Sequence, residues 1–259
     1  RVRSQLAEHG IGYLDIADNH SAAFFSLFGK DPLGYQQNIL EGIHTPEQLA
    51  AHNARLQKAI TERLTHNRHQ TLIISGEDIS LLPKDSVPAL RDMLAPYFDR
   101  IQVIAYVRSP LAFINSLAQQ ALKGGSSIAA LTAKPPTPDY KWRFNKFIET
   151  FGEEAVSFRF FDRDSLMGGN IVSDFLHAIG APPALADTLP APHVNTSLSQ
   201  SAAKVLSRLN EQLPLLLDGA PNPQRPSGLP AKVSRLGGPA FRLPAASIEA
   251  ALPSIRWDI

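Results

Sequence analysis

The chain has 259 residues, 44% of them hydrophobic, which is enough apolar material for one large core or two modest ones. Its 25 Lys and Arg balance 24 Asp and Glu for a formal charge of +1, so no overall field advertises a nucleic-acid or acidic-membrane partner, and any anion site has to be built locally. The absence of cysteine excludes disulfides, thiolate metal ligands and a cysteine nucleophile, and no apolar run reaches the roughly 18 residues that a membrane-spanning helix needs. With no signal peptide in view, a soluble, cytoplasmic protein without stable membrane insertion is expected.

The sequence opens at Arg1 inside an amphipathic pattern ending at Gly10, and it closes in "IEAALPSIRWDI" as a helical pattern ends, so residues beyond both ends are expected. Ile11, Tyr13 and Leu14 form a short strand before the polar "ADNH", which puts His20 just past a strand end. "TPEQLAAHNARLQKAITERL" is a helix with Pro46 at its first position and Glu47 in its first turn. "QTLIISGE" is a strand ending at Gly76 and Glu77, "DSVPALRDMLAPYF" a helix, and "RIQVIAYVR" an almost wholly apolar strand. That succession predicts a right-handed βαβ unit in a parallel sheet covered on both faces.

Further on, a helix over "YKWRFNKFIETFG" leads to the strand "AVSFRFF", and "GGNIVSDFLHAIG" is a helix closed by Gly180. Beyond Pro182 the character changes. "APPALADTLPAPHVN" reads as loop, "SLSQSAAKVLSRLNEQL" as a helix, and 218–241 as a long polar surface excursion rich in Gly and Pro. The expected fold is a single three-layer α/β/α domain over 1–259 with a central parallel sheet, in which 181–259 forms a helical, loop-rich appendage.

In open parallel sheets, ligands bind beyond the carboxyl ends of the strands. Arg108 sits at such an end. Ser109 suits an N-cap and Pro110 the first helical turn, so unpaired backbone N–H groups point to the same place. Along the helix, Leu111, Ile114, Ala118, Ala121 and Leu122 make one apolar stripe, and Ser116 lies opposite it with Ser109, Phe113 and Gln120. A guanidinium fork, a hydroxyl and a helix N-terminus together suit a phosphate dianion; an exposed strand-end arginine and an exposed helical serine are the plainer reading of the same spacing.

The segment "VIAYVRSPLAFINSLAQQALKGG" resembles the 3′-phosphate-binding motif of sulfotransferases that use 3′-phosphoadenosine 5′-phosphosulfate (PAPS): a hydrophobic strand, Arg108, a Ser-Pro pair, and Ser116 eight residues after the arginine. "TLIISGEDISLL", the region from Tyr140 to Gly180, and "VNTSLSQSAAKVLSRLN" are similar to successive blocks of bacterial sulfotransferase-like proteins. The resemblance implies a P-loop-type fold and a sulfuryl transfer from PAPS that needs no metal and leaves 3′-phosphoadenosine 5′-phosphate (PAP). The acceptor would be a hydroxyl or amine of a carbohydrate, glycolipid or small metabolite. It also implies a strand and a loop resembling "KSGTT" around the 5′-phosphosulfate. That loop would precede Arg1, since neither "FGKDPLG" nor "LKGGSSI" has the context of a phosphate loop.

Two residues are candidates for the catalytic base. His20 follows the first strand, where bacterial relatives often have a histidine. Glu77 stands near the place where cytosolic sulfotransferases have one; alternatively, Glu77 and Asp78 are helix N-terminal acids. His66 and His69 lack further ligands for a metal. The aromatic residues Tyr140, Trp142, Phe144, Phe147 and Phe151 suit either adenine stacking or, as the plainer reading, a packed helix face; Arg159 and Arg163 suit either an anionic donor or acceptor or, as the plainer reading, solvated surface. Acceptor contacts are expected from loops at 18–44 and 181–240. A non-catalytic nucleotide- or glycan-binding relative of the same fold is the rival reading.

Overall fold

The computed structural model describes residues 2–189 and 197–255. Its elements run α1 (Val2–Ala7), β1 (Ile11–Tyr13), α2 (Ser21–Phe28), α3 (Gln36–Leu40), α4 (Pro46–Thr65), β2 (Thr71–Ile73), α5 (Val87–Leu94), β3 (Val103–Val107), α6 (Pro110–Lys123) and α7 (Ile128–Ala133). There follow α8 (Tyr140–Phe151), β4 (Val156–Phe160), α9 (Ile171–Ala178), α10 (Pro183–Thr188), α11 (Gln200–Gln212), β5 (Leu216–Leu217), β6 (Ala220–Pro221), α12 (Leu229–Val233) and α13 (Ala245–Ile255). The chain is thus mixed α/β and mostly helical, with small parallel sheets.

Local chemistry explains where the helices start. Thr45 and Gln48 form a capping box before α4, with Gln48 N–H donating to Thr45 Oγ1 at 3.3 Å and Thr45 N–H to Gln48 Oε1 at 3.0 Å. Ser109 caps α6, Asn170 caps α9 and Ser199 caps α11, each accepting a backbone N–H of the first turn.

Contacts divide the chain into two compact units: Arg1–Val107 with Trp142–Pro192, and Arg108–Lys141 with His193–Ile259. The second unit begins well before residue 181, because Ile114, Ala118 and Leu122 of α6 and Leu131 of α7 share a core with Leu198, Ala202, Ala203 and Leu206.

In the first unit β1 pairs with β2 (Ile11 opposite Thr71, Tyr13 opposite Ile73) and β3 with β4 (Val103 opposite Val156, Val107 opposite Phe160), both parallel. The expected pairing of β2 with β3 across α5 does not occur; each strand instead takes its partner across a longer helical crossover. Strand periodicity sorts the side chains onto two faces. Leu14, Leu72, Ile74, Val103 and Val156 pack with Phe24, Ile60, Leu90 and Phe147 from α2, α4, α5 and α8. Ile11, Tyr13 and Ile73 pack with Leu6 of α1, Leu185 of α10, and Val172, Phe175 and Leu176 of α9. The same helix α9 reaches the β3–β4 pair through Asp174, which is 1% exposed. Its carboxylate accepts Arg159 Nε and Nη2 at 2.5 Å each and the Tyr106 hydroxyl at 3.1 Å. Both strand pairs therefore carry α9 on one side and share one apolar core on the other.

Two expected loops are ordered structure. Residues 18–44 contain α2, whose Phe24 is fully buried, and the Pro-rich start of the C-terminal region contains α10, anchored by Leu185. The rest of that Pro-rich stretch, 190–196, lies outside the described residues.

Among the described residues, the regular elements of the second unit are helices and the β5–β6 hairpin, with a single bridge between Ser199 and Ala240. Asn210 on α11 donates to Leu122 O at 2.8 Å and Ser126 O at 2.7 Å, and its side-chain oxygen accepts Arg225 Nη2 at 2.7 Å; Arg225 also donates to Leu213 O. One amide thereby adds a second donor to Leu122 O, which also accepts the Gly125 N–H, and ties down the turn after α6. The stretch 218–241 does run largely exposed over the surface, but it is anchored at two points. Val233 and Phe241 are buried in the core, and Phe241 N–H donates to Leu198 O at 2.8 Å.

Arg159 holds the Asp174 carboxyl down at about 2, against an ordinary value of 3.8. The ionised carboxylate thus stabilises the fold fully above pH 3.8, and this contribution is lost as pH falls from there through 2. Asp174→Asn should cost on the order of 3 kcal/mol at neutral pH by denaturant titration, and should flatten the acid limb of stability against pH over that window.

Candidate functional site

Arg108 directly follows β3 and precedes the Ser109 cap of α6. Its backbone is clamped by one side chain. Arg108 N–H donates to the Tyr140 hydroxyl at 3.0 Å, and that hydroxyl donates to Arg108 O at 2.8 Å. The Tyr140 ring meets Phe113 of α6 edge-on, with centroids 5.5 Å apart. Pro110 occupies the first helical position, and Ser109 Oγ accepts Ala112 N–H at 3.4 Å. On α6 the buried side chains are Ile114, Ala118 and Leu122; Leu111, expected in that stripe, is 50% exposed. Ser116 is half-buried and lies opposite them, two turns from Arg108.

The two candidate bases belong to the first unit and meet at the carboxyl ends of β1 and β2. His20 N–H donates to Ser75 O at 2.8 Å and Ser75 N–H donates back to His20 Nδ1 at 2.9 Å. Nε2 therefore carries the ring proton, and it donates to Leu14 O at 2.8 Å. His20 is fully buried, its ring 4.7 Å from that of Tyr13. Neither ring nitrogen remains for a proton from outside, and burial pushes its pKa below 6.5. In this geometry His20 is a brace between two strand ends.

Glu77 is exposed and opens the 3₁₀ turn Glu77–Leu81, four residues past the end of β2. The turn is pinned on both sides. Asp78 N–H donates to Ser21 Oγ at 3.1 Å and its carboxylate accepts the Tyr35 hydroxyl at 2.6 Å. Ser80 Oγ donates to Glu77 O at 2.8 Å and accepts Arg143 Nη1 at 2.9 Å. Gly76 permits the close approach, since a Cβ there would lie 2.7 Å from Ser21 N and 3.1 Å from the His20 carbonyl carbon. Sequence reading flagged His20 and Glu77 separately; Ser75 and Tyr35, which hold these segments, carried no signal beyond Gly76, and Tyr140, which holds Arg108, was read only as one of the aromatic residues of α8.

Among the described residues no group of three or more His, Asp or Glu could hold a metal ion, and His66 Nδ1 bonds to Glu62 O of its own helix. Nor is any described helix long and apolar enough to cross a membrane. Arg159, expected on the solvated surface, is tied to Asp174, and of the aromatic residues expected as a packed helix face Phe147 is buried in α8 while Trp142 is 56% exposed.

No family model matches the chain, and no solved structure matches it. A protein of Archaeoglobus fulgidus, described only as an uncharacterized protein, is 29% identical over 146 residues, 56% of this chain. The chain spans 39% of that relative's length.

Because the folded pKa of His20 lies below 6.5, the neutral ring's stabilisation is present above pH 6.5 and lost as pH falls below it. His20→Ala should destabilise the fold by about 2–4 kcal/mol, since it removes the side-chain acceptor of the Ser75 N–H and one of the two donors to Leu14 O and leaves a cavity where a fully buried ring stood. It should also remove the stability slope below pH 6.5, as read by chemical denaturation across pH.

Proposed function

We propose that this chain binds PAPS and transfers its sulfuryl group to a hydroxyl or amine of a carbohydrate, glycolipid or small metabolite. One observation carries the reading: Arg108 follows a parallel strand, the Ser109 cap and Pro110 start a helix, and Ser116 stands on that helix off the buried stripe. In this assignment the Arg108 guanidinium makes paired bonds to the 3′-phosphate, the Ser116 hydroxyl donates a further one, and the first-turn N–H groups of α6 add their partial charge. The Tyr140 clamp supports it, because a fixed backbone at Arg108 limits where its guanidinium can reach.

In the transfer, the acceptor oxygen or nitrogen attacks sulfur, the bond from sulfur to the 5′-phosphate oxygen breaks, and PAP leaves with that electron pair. Glu77 takes the acceptor's proton in this reading, since its carboxylate is exposed while both nitrogens of His20 are engaged. The finer architecture we propose is one central parallel sheet between two helical layers. β2 and β3 are not hydrogen-bonded to each other although their pairs share α9 and one apolar core. A single parallel strand bonded to both would join four strands into five, and the strand-and-phosphosulfate-loop that the sulfotransferase resemblance implies has that character.

The brace formed by His20 favours a second reading, a nucleotide-binding relative without transfer activity. Calorimetry and turnover separate the two. PAP should bind far more tightly than adenosine 5′-phosphate. Arg108→Lys keeps the charge but loses the fork, so PAP affinity should fall about ten- to a hundredfold while adenosine 5′-phosphate is unaffected. Equal affinity for both nucleotides rejects the 3′-phosphate assignment. Glu77→Gln should lower PAP release from PAPS with a carbohydrate acceptor panel by about 100- to 10,000-fold at unchanged PAP affinity. PAP binding with no release by the wild type on any acceptor supports the second reading.

A further inference from the structure

The aromatic helix α8 carries a charge that its surroundings do not neutralise. Lys146 is 3% exposed, and its Nζ has no hydrogen-bond acceptor among the described residues. The ammonium lies 3.8 Å from the centroid of the Trp142 ring and 5.9 Å from that of Phe147. An aromatic face attracts a cation but accepts none of its three N–H bonds. Arg143 stands one turn back on the same helix, where residues three apart are neighbours, and it adds a second positive charge. The nearby acid on the helix, Glu149, is engaged elsewhere, 2.6 Å from Lys84 Nζ. Two cations thus adjoin, one buried without an acceptor, under an indole that is itself 56% exposed and free of core packing on its outer side.

We propose that Lys146 and Arg143 form a binding site for a doubly charged tetrahedral oxyanion of the sulfate or phosphate class, with Trp142 as its cover. Two adjoining positive charges match a dianion better than a carboxylate, and an oxyanion supplies the acceptors that Lys146 Nζ lacks. Outward rotation of the Trp142 ring exposes the ammonium, and Arg143, held by Ser80 Oγ at 2.9 Å, stays in place beside it. Burial first, and then the Arg143 charge, pull the Lys146 pKa down to about 8, whereas a bound dianion favours the charged form. Anion binding is therefore coupled to protonation of this amine. This site lies wholly in the first unit, and it stands or falls independently of the nucleotide assignment at Arg108 in the second.

The chain has two tryptophans, so Trp257→Phe leaves Trp142 as the sole indole reporter. Its fluorescence should respond saturably to sodium sulfate and to sodium phosphate, but not to sodium chloride at equal ionic strength. Lys146→Met, which removes a buried charge and should fold with a thermal midpoint no lower than the parent, should abolish the response. Lys146→Arg should keep it. Sulfate affinity of the parent should weaken as pH rises through about 8, while that of Lys146→Arg, whose guanidinium stays charged, should not. PAP affinity should be the same in Lys146→Met and the parent. The proposal is overturned by an absent sulfate response, an equal response to chloride, a response retained in Lys146→Met, a Lys146→Met midpoint below the parent, or identical pH profiles for Lys and Arg at 146.

Discussion

A single buried imidazole holds the carboxyl ends of β1 and β2 together, and the geometry of the candidate site depends on it. Through Leu14 O and the backbone of Ser75, His20 joins the turn after one strand to the turn after its neighbour. Everything placed by those turns follows: Ser21 meets the N–H of Asp78, Asp78 fixes Tyr35, and Glu77 is left facing outward. A strand of three residues has too few ladder bonds to hold its own ends, so side-chain bonds to the strand-end backbone contribute a large share of the local order. The neutral ring suits this task because it offers one donor and one acceptor, and each finds one backbone partner.

Helix α9 performs the corresponding task at the scale of the unit. Its apolar side packs on β1 and β2, while Asp174 binds Tyr106 of β3 and Arg159 of β4. The carboxylate side of the ion pair is closed to water and accepts from Arg159, Tyr106 and the Met167 N–H, the circumstance in which a buried charge is tolerated and its loss is expensive. Two separate strand pairs are thereby oriented by one helix, with the larger apolar core on their other face.

Three cations of this chain show how context sets the meaning of a positive charge. Arg159 is neutralised within the fold by Asp174. Arg108 has its backbone clamped by Tyr140 at a strand end, where helix N–H groups begin. Lys146 is buried against aromatic faces with no acceptor, so its charge is held at a cost that burial alone does not repay. A near-zero net charge conceals all three, because formal charge sums over positions whose dielectric surroundings differ widely.

Most of the helices and the strands β1 to β4 were legible in the sequence because their signals are local. Apolar periodicity, Pro46 and Glu47 at the start of α4, Ser109 before Pro110, and Gly180 after the α9 pattern act within a turn or two of themselves. The Arg108-to-Ser116 spacing is of the same kind, since a helix converts sequence distance directly into a shared face. Pairing was not legible: the succession β2, α5, β3 suggested neighbours, yet both strands bond elsewhere, because parallel register is decided by packing on α9 and the shared core. The 218–241 stretch looked like surface because Gly and Pro dominate it, while two widely spaced residues, Val233 and Phe241, carry it into the core. His20 and Lys146 make the division plainest. His20 in "DNHS" and Lys146 in "FNKF" both read as ordinary polar positions, and only the tertiary structure decides that one has both nitrogens satisfied by backbone and the other has no acceptor among the described residues, since hydrogen-bond partners 55 residues apart leave no periodic trace in a sequence.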